Sequence, residues 1–406
     1  MLAGVRVADQ ASGTAAPWDS PAAIAVALTS AIVSYFVWLG LPVILGSLVS
    51  GLGFTDVQIG WVGSAEYLGV LLGSVYVSRK ARSGRFRRLA LVGIAITVCA
   101  DVATLATKTI AAFCIVRLIG GAGSGACYSA SIACLSLARK PTRTFSILMV
   151  VMTIANSLEL WWLPRVVNQW GTTGIYTFLA LSYVVPAVLL RLIPARITAS
   201  DRPDEDTDTV SPIGAQSITR LAWLCLVGIV LFNVAATSFW AYAERIGEFA
   251  GMTVRMISNT LTICNLLGLA GSVAAYWMSR LWGQHRPQLV CFALMILAYG
   301  MWGVNLTPRT YVMGVFLFFQ VWAIVAVYQL GTLSKIDPSG HYIALVPAAQ
   351  GVGQCVGPSI AGYLLARQLD FPEMLGAVTL FAVGCLLAYA TVYLSLRRLS
   401  PALAEE

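Results

Sequence analysis

The sequence predicts an all-α membrane protein in which twelve transmembrane helices form two pseudo-symmetric six-helix bundles. Three observations predict this fold class. First, 58% of the 406 residues are hydrophobic and only 11% are charged, whereas about a quarter of the residues in a soluble domain are charged. Second, twelve apolar runs are long enough to cross a bilayer. Third, a polar segment at 195–217 separates six of these runs from the other six.

A transmembrane helix needs about twenty predominantly apolar residues. The runs of that length, numbered here as spans 1 to 12, are 22–50, 56–79, 87–106, 109–138, 143–168, 172–193, 218–247, 252–281, 286–305, 308–333, 340–367 and 372–397. The runs are continuous and do not alternate with a period of two, which excludes a transmembrane β-barrel. The predicted organisation is a tail at 1–21, a first bundle at 22–193, a linker at 194–217, a second bundle at 218–397 and a tail at 398–406.

The linker is predicted from its composition. It carries five of the eighteen acidic residues, namely Asp201, Asp204, Glu205, Asp206 and Asp208. Pro203 and Pro212 disfavour a long helix, and few apolar side chains are present to form a core. We therefore expect a polar connection at the membrane surface.

The basic residues predict the orientation of the chain. Both tails and the linker lie on one side of the predicted membrane. Nineteen of the 26 Lys and Arg residues fall on that side, and five fall on the opposite side. Because Lys and Arg concentrate in cytoplasmic loops, both termini are predicted to be cytoplasmic and the protein to lie in the cytoplasmic membrane. The net charge of +8 thus reports orientation, and no nucleic-acid partner is expected.

The two halves contain a repeat. Residues 53–75 read GFTDVQIGWVGSAEYLGVLLGSV and residues 251–273 read GMTVRMISNTLTICNLLGLAGSV. The residue types that recur 198 positions later include those of Gly53, Thr55, Ile59, Gly73, Ser74 and Val75. The repeat indicates an internal duplication. Many transporters are built from such repeats and bind their solute near the midplane between them.

Two motifs resemble those of the major facilitator superfamily. In span 4, Arg117 precedes a run of glycines, Gly120, Gly121, Gly123 and Gly125, which resembles the arginine-glycine motif of that family. The loop after span 2 resembles the gating motif of the family, in which a glycine precedes an acidic residue and a basic run. The matching residues are Gly73, Arg79, Gly84, Arg85, Arg87 and Arg88, but Val77 or Ser78 stands where the family usually has Asp.

A third family pattern is displaced. The proline-glycine signature in span 5 of many drug antiporters is absent, because residues 152–164 read MTIANSLELWWLP. A related pattern, GQCVGPSIAG, occupies residues 353–362 in span 11. The resemblance implies the fold of this family and secondary transport. It does not imply a substrate.

Ionisable residues inside the spans are the first candidate functional residues, because each costs a few kcal/mol in a bilayer and usually faces a cavity or a partner. Glu66 and Glu159 lie deep, with no basic residue at similar depth in their own helices. We predict that both act in proton coupling or as substrate contacts, with Arg117 as the counter-charge. Asp101 is expected either to pair with Arg117 or to lie in the headgroup region.

The resemblance implies that spans 1, 4, 7 and 10 line the solute cavity. The candidate substrate-binding residues are Tyr35, Tyr128, Trp162, Trp240, Glu244, Arg245, Asn265 and Gln329. For Glu244 and Arg245, a wetted helix end at the outer interface is the alternative. The candidate gating residues are Arg79, Arg85 and Arg280.

These residues predict a monomeric secondary active transporter that moves a small organic solute by alternating access, coupled to protons. The alternatives are a facilitative uniporter or an organic-anion exchanger. The acids at 66 and 159 favour a cationic solute, whereas Arg117 with Arg245 favours an anion, and the direction of transport stays open. An intramembrane enzyme would need clustered His, Asp or Ser-Lys groups, which the sequence lacks at useful spacing, and a sensor would need an appended domain. No enzymatic activity, cofactor or metal is therefore predicted.

Overall fold

The computed structural model describes residues 20–80, 85–136, 141–192, 215–283, 285–336, 342 and 345–399. All regular elements within these ranges are helices. In the first half they are Pro21–Ser34, Phe36–Leu39, Leu41–Leu52, Asp56–Lys80, Phe86–Leu105, Ile110–Leu135, Pro141–Ser182, Val184–Leu189 and a 3-10 turn at Leu190–Leu192. In the second half they are Ala215–Trp240, Ala243–Phe249, Val254–Trp282, His285–Val304, Pro308–Ile336, Val346–Ala366 and Phe371–Leu399.

These helices fall on the twelve predicted spans, and most boundaries agree to within a few residues. Within the described ranges, seven helical stretches are long and apolar enough to cross a membrane, and one of them, Thr144–Leu192, covers spans 5 and 6. Span 1 consists of shorter apolar helices. Spans 2, 8 and 11 are helices of 25, 29 and 21 residues with more polar side chains than the seven apolar stretches. The predicted linker is outside the described residues up to position 214, and a helix begins at Ala215.

The repeat appears as a repeated turn. Gly53 and Gly251 both adopt positive φ angles, 69° and 83°, a backbone region that glycine occupies without a steric penalty. Two residues later a threonine caps the next helix in each half. Thr55 accepts from the backbone N–H of Gln58 at 3.3 Å, and Thr253 accepts from the N–H of Met256 at 3.3 Å.

Helix packing repeats at the same offset of 198 residues. A side chain at Gly73 of span 2 would overlap the backbone of Ala122 in span 4, and a side chain at Gly271 of span 8 would overlap Gln320 in span 10. Small residues at such points allow two helices to approach closely. The two halves are therefore pseudo-symmetric in their packing as well as in their order of helices.

Within each half the helices pack mainly on other helices of the same half. The two halves meet where span 2 packs on span 11 and where span 5 packs on span 8. Because consecutive spans alternate in direction, the bundle has two ends. The proximal end carries the first described residue, Ser20, and the last, Leu399. The distal end carries the turns at 53–55, 106–109, 250–253, 305–307 and 367–370.

Candidate functional site

An ionic cluster lies inside the first half and joins spans 2, 3 and 4. Arg117 donates from Nε to Glu66 Oε2 at 2.8 Å and from Nη1 to Asp101 Oδ1 at 2.7 Å. The exposed fractions are 1% for Arg117, 3% for Glu66 and 0% for Asp101. The guanidinium also lies 5.0 Å from the ring centroid of Tyr176 in span 6. Arg117 thus pairs with Glu66 as expected, and of the two surroundings expected for Asp101 the structure shows the pairing with Arg117.

The glycine run of span 4 brings these charges together. Gly121 packs so closely on span 2 that a side chain there would overlap the carbonyl of Glu66. One turn of helix before Gly121, Arg117 therefore enters the contact between spans 2 and 4 and reaches Asp101 on the opposite side. The motif does not bind a phosphate group; it closes the distance between two helices.

The cluster contains one more negative group than positive groups. Glu66 Oε1, Asp101 Oδ2 and Arg117 Nη2 have no hydrogen-bond partner among the described residues. With both carboxyl groups ionised the cluster carries one net negative charge in a site that water does not reach. Such a charge is costly in a low-dielectric interior, so the cluster is neutral only when one carboxyl group holds a proton.

Glu159 is a further buried acid, and it has no ionic partner among the described residues. Its exposed fraction is 6%, and neither carboxyl oxygen has a hydrogen-bond partner. The carboxyl group lies against Gly40 of span 1, at a break between two short helices, where a side chain would overlap Oε1. One turn earlier on span 5, the side-chain oxygen of Asn156 is also buried without a partner.

Aromatic side chains surround the middle of the interface between the halves. The ring of Tyr35 in span 1 lies 4.7 Å from that of Trp38 and 4.5 Å from that of Tyr128 in span 4. Trp38 in turn contacts Trp322 of span 10 in the other half, at 5.7 Å between centroids. All four side chains are only partly buried. Two of the predicted substrate-binding residues, Tyr35 and Tyr128, are thus in direct contact.

A proline inside span 1 creates a hydrogen bond between the halves. Pro42 has no N–H and cannot bond the carbonyl four residues earlier, that of Trp38. Nε1 of Trp240 in span 7 donates to this carbonyl at 3.0 Å. Trp240, another predicted substrate-binding residue, therefore links spans 7 and 1.

The same rule applies to span 5. Pro164 leaves the carbonyl of Leu160 without its helical donor, and the hydroxyl of Ser258 in span 8 donates to it at 2.6 Å. One and two turns further along span 8, Thr262 and Asn265 bond to span 5 as well. Asn265 Nδ2 donates to Ser157 Oγ at 2.9 Å, so this predicted substrate-binding residue joins the two halves.

We expect the Ser258→Ala variant to be less stable by about 1 kcal/mol, because the Leu160 carbonyl is then buried without a donor. Thermal unfolding of the purified protein measures the difference. Ser258→Thr keeps the hydroxyl and should unfold like the wild type. Ser334→Ala, which removes an exposed hydroxyl bonded within its own helix, is the matched control. Equal stability of Ser258→Ala and the wild type would show that this bond contributes nothing.

The distal ends of spans 2 and 7 are joined by an ion pair. Arg245 Nε donates to Asp56 Oδ1 at 2.8 Å, and Nη1 pairs with Glu248. The hydroxyl of Tyr242 donates to the carbonyl of Asp56 at 2.7 Å. The structure thus pairs Arg245, predicted as a substrate contact, with carboxylates at the distal junction of the halves.

The other predicted residues lie in different surroundings. Glu244 is buried against Gly46 of span 1. Gln329 is buried, and its Nε2 has no partner among the described residues. Trp162 is 39% exposed and packs on Phe178 of span 6 at 5.0 Å. The predicted roles of these three residues in binding stay predictions.

The predicted gating residues lie at the proximal end. Arg79 and Arg85 are exposed and flank residues 81–84, which are outside the described part of the chain. Arg280 belongs to helix Val254–Trp282, but its side chain is outside the described set. Their gating role stays a prediction.

Sequence reasoning missed Asp56 and Ser258 as contacts between the halves and Trp38 as an acceptor. The signal that could have found two of the contact points is the position of Pro42 and Pro164 inside apolar spans, because each proline frees the carbonyl four residues earlier. No comparable signal identifies Asp56, which looks like an ordinary acidic residue at a helix start.

Comparisons with known proteins support the same architecture. The family model described as Major Facilitator Superfamily matches residues 27–336. Among solved structures, the nucleoside transporter NupG is similar with a TM-score of 0.73 at 12% identity, over 91% of this chain and 98% of that one. No curated protein matches the sequence.

Two further structures are similar over nearly their whole length. A bacterial homologue of the human lysosomal transporter Spinster, in an inward-facing and unoccupied conformation, gives a TM-score of 0.65 at 10% identity, over 96% of this chain and 97% of that one. Tetrameric PepTSo2 gives 0.70 at 12% identity, over 93% and 99%. At such identities the likeness concerns the fold.

Proposed function

Because the chain belongs to the major facilitator superfamily, it is a membrane transporter and not an enzyme, and we propose that it is a secondary active transporter that couples a small organic solute to protons. The proposed location is the cytoplasmic membrane, with the proximal end and both termini in the cytoplasm. The bias of basic residues towards that side supports this orientation. We propose a monomer as the transporting unit.

The observation that carries the proposal is the buried cluster of one arginine and two carboxyl groups. Arg117 contacts Glu66 and Asp101 through different nitrogen atoms. When Glu66 takes up a proton, Arg117 keeps Asp101 as its partner, and when Glu66 loses the proton, Arg117 balances its charge. Glu66 can therefore exchange a proton without leaving the arginine unpaired.

Alternating access provides the movement to which this exchange is tied. Between described residues of the two halves, the hydrogen bonds run from the middle of the bundle to its distal end, at Trp38, Ser157, Leu160, Ser64 and Asp56. These contacts support a state closed at the distal end. Opening towards the distal side requires them to break, as one half rocks against the other around a midplane site.

We expect Glu66→Gln to fold and to transport with a much weaker dependence on pH, because only Glu159 then remains to exchange a proton. Glutamine has the shape of the protonated acid and cannot release a proton, while Arg117 keeps its contact with Asp101. The measurement is solute uptake by the purified protein in liposomes, with a panel of solutes and with or without a pH gradient. The wild type should respond fully to the gradient, and Glu66→Gln should respond much less.

The control for this experiment is Glu373→Gln, which removes an exposed acid that caps the helix of span 12 and should leave the response to pH intact. If Glu66→Gln keeps the full response, the coupling role passes to Glu159 or Glu244. If the wild type itself transports without any response, the protein is a facilitative uniporter and proton coupling is refuted.

A further inference from the structure

In the middle of the interface, the described residues leave the carboxyl group of Glu159 without a counter-charge. Glu159 is buried, and both of its carboxyl oxygens lack a hydrogen-bond partner among the described residues. Arg117 and Arg245, the two arginines that the sequence proposed as counter-charge and substrate contact, are already paired with carboxylates. An anionic solute would have to break one of these ion pairs, whereas a cationic solute would find an unoccupied acid.

We propose that Glu159 binds a positively charged amino group of the solute, so that the solute is an organic cation with an apolar or aromatic body. The inference rests on the proposed transport function and adds the class of substrate. Before binding, Glu159 holds a proton, because an unpaired buried carboxylate is costly. On binding, the solute's ammonium group takes the place of that proton, which leaves to water, and the overall charge of the site is unchanged.

The hydrogen-bonding groups of the site match an ammonium ion. A primary ammonium group has three N–H donors and no acceptor. Three buried acceptor atoms without partners lie one turn apart on span 5, the two carboxyl oxygens of Glu159 and the side-chain oxygen of Asn156. Residues at this spacing share one face of a helix. A primary amine could therefore satisfy all three atoms at once.

The neighbouring aromatic side chains suit the body of such a solute. Span 1 breaks at Gly40, against which Glu159 lies, and Trp38 is two residues before that break. Trp38 contacts Tyr35 and Trp322, and all three rings are partly exposed. Aromatic faces attract ammonium groups and offer apolar area to the rest of the solute. The Nε1 atom of Trp38 is buried and has no hydrogen-bond partner among the described residues, so it can donate to a polar atom of the solute.

No described cationic side chain on the surrounding helices balances the charge of Glu159 in place of a cationic solute. The described titratable or charged side chains on the helices packed against span 5 are Tyr35 of span 1, Arg87, Arg88, Cys99 and Asp101 of span 3, Cys114, Arg117, Cys127, Tyr128 and Cys134 of span 4, Tyr176, Tyr183 and Arg191 of span 6, and Arg255 and Cys264 of span 8. On span 5 itself, Arg165 stacks on Trp161 and bonds its carbonyl. Arg255 starts its helix at the distal end, and Arg117 is held by Glu66 and Asp101.

The test uses three probes of one shape, 3-phenylpropylamine, 3-phenylpropanol and 3-phenylpropionate. Binding to the purified full-length protein is followed by tryptophan fluorescence, and proton release by a pH indicator in weakly buffered solution. We expect the amine to bind at least about tenfold more tightly than the alcohol or the acid, a difference of about 1.4 kcal/mol, and to release a proton. Because protons compete with the amine for the carboxylate of Glu159, the affinity for the amine should fall as the pH falls.

The variants locate the binding point. Glu159→Gln should weaken amine binding about thirtyfold and abolish proton release, because an amide offers no charge and holds no exchangeable acid proton. Glu159→Asp keeps a carboxyl group and should bind the amine more tightly than Glu159→Gln but less tightly than the wild type. This variant still tests the binding point if Glu159→Gln folds poorly. The control is Glu373→Gln, which replaces an exposed acid far along the chain from Glu159. This variant should bind the amine like the wild type.

Two results would overturn the inference, namely preferential binding of the propionate and amine binding by folded Glu159→Gln that equals the wild type. Absence of any amine binding to the wild type would do the same. These outcomes are separate from failure of the transport proposal, which appears in the liposome assay. A protein that binds the amine through Glu159 but moves no solute would keep the binding point and lose the transport function.

Discussion

Replacement of Arg117 by leucine is expected to reduce the folded protein in the membrane more than any other single change. The substitution leaves Glu66 and Asp101 buried without their shared cation, in a site with exposed fractions of 3% and 0%. Removal of one partner from a buried ion pair costs about 3–5 kcal/mol, which is a large part of the stability of a typical domain. Size-exclusion chromatography of detergent extracts and thermal unfolding measure the loss.

Charge, rather than packing, is the expected cause, and a combined variant separates the two. Adding Glu66→Gln and Asp101→Asn to Arg117→Leu removes both uncompensated acids and should recover a substantial part of the folded protein, because the three residues act as one unit. Arg165→Leu is the matched control, since Arg165 is exposed and stacks on Trp161. A triple variant as unstable as Arg117→Leu alone would assign the loss to packing.

A disulfide between spans 2 and 11 is expected to abolish transport completely. The hydroxyl groups of Ser64 and Ser359 lie 2.7 Å apart across the two halves, so cysteines at these positions are close enough for a disulfide once their side chains adjust. The bond would hold the halves together in the distal half of the bundle. Because the outward movement requires separation there, oxidation should stop uptake and a reducing agent should restore it.

Native cysteines determine the design of this experiment. Cys355 lies next to the pair, with its sulfur 3.5 Å from the carbonyl of Ser64, and is replaced by alanine in all variants. Each single cysteine variant serves as the control and should transport equally before and after oxidation. Full transport by the oxidised double variant, with the cross-link verified by mass spectrometry, would contradict a movement between these two helices.

The distal ion pair and the proline-linked hydrogen bonds suggest how the two states are balanced. Asp56 with Arg245 is partly exposed, so its contribution is limited by solvent screening. The bonds to the carbonyls of Trp38 and Leu160 are buried more deeply and connect helices of different halves. A few bonds of modest strength allow the closed state to form and to open again.

The sequence alone determined the fold class and the order of the helices along the chain. Twelve apolar runs were enough to predict the helices of the structure to within a few residues at most boundaries, because a bilayer requires every spanning backbone to satisfy its hydrogen bonds internally. The repeat was also visible, and Gly53 and Gly251 confirm it by their shared turn conformation. These properties are local, since hydropathy and turn preference depend on neighbouring residues.

The pairing of Arg117 was within reach of the sequence because few charged residues occur inside the spans. With so few candidates, Glu66 could be named as a partner with the help of the family resemblance, and Asp101 as a partner or a residue of the headgroup region. That Arg117 contacts both at once was not predictable, since this depends on the rotation of three helices about their axes.

Only the tertiary structure decided which acid lacks a partner and which arginine is already occupied. Glu159 and Glu66 look alike in the sequence, yet one lies against Gly40 without an ion pair and the other binds Arg117. Arg245 pairs with a residue 189 positions away. Such contacts join helices that are distant in the chain, and they depend on how the two halves are docked, which no local pattern of residues specifies.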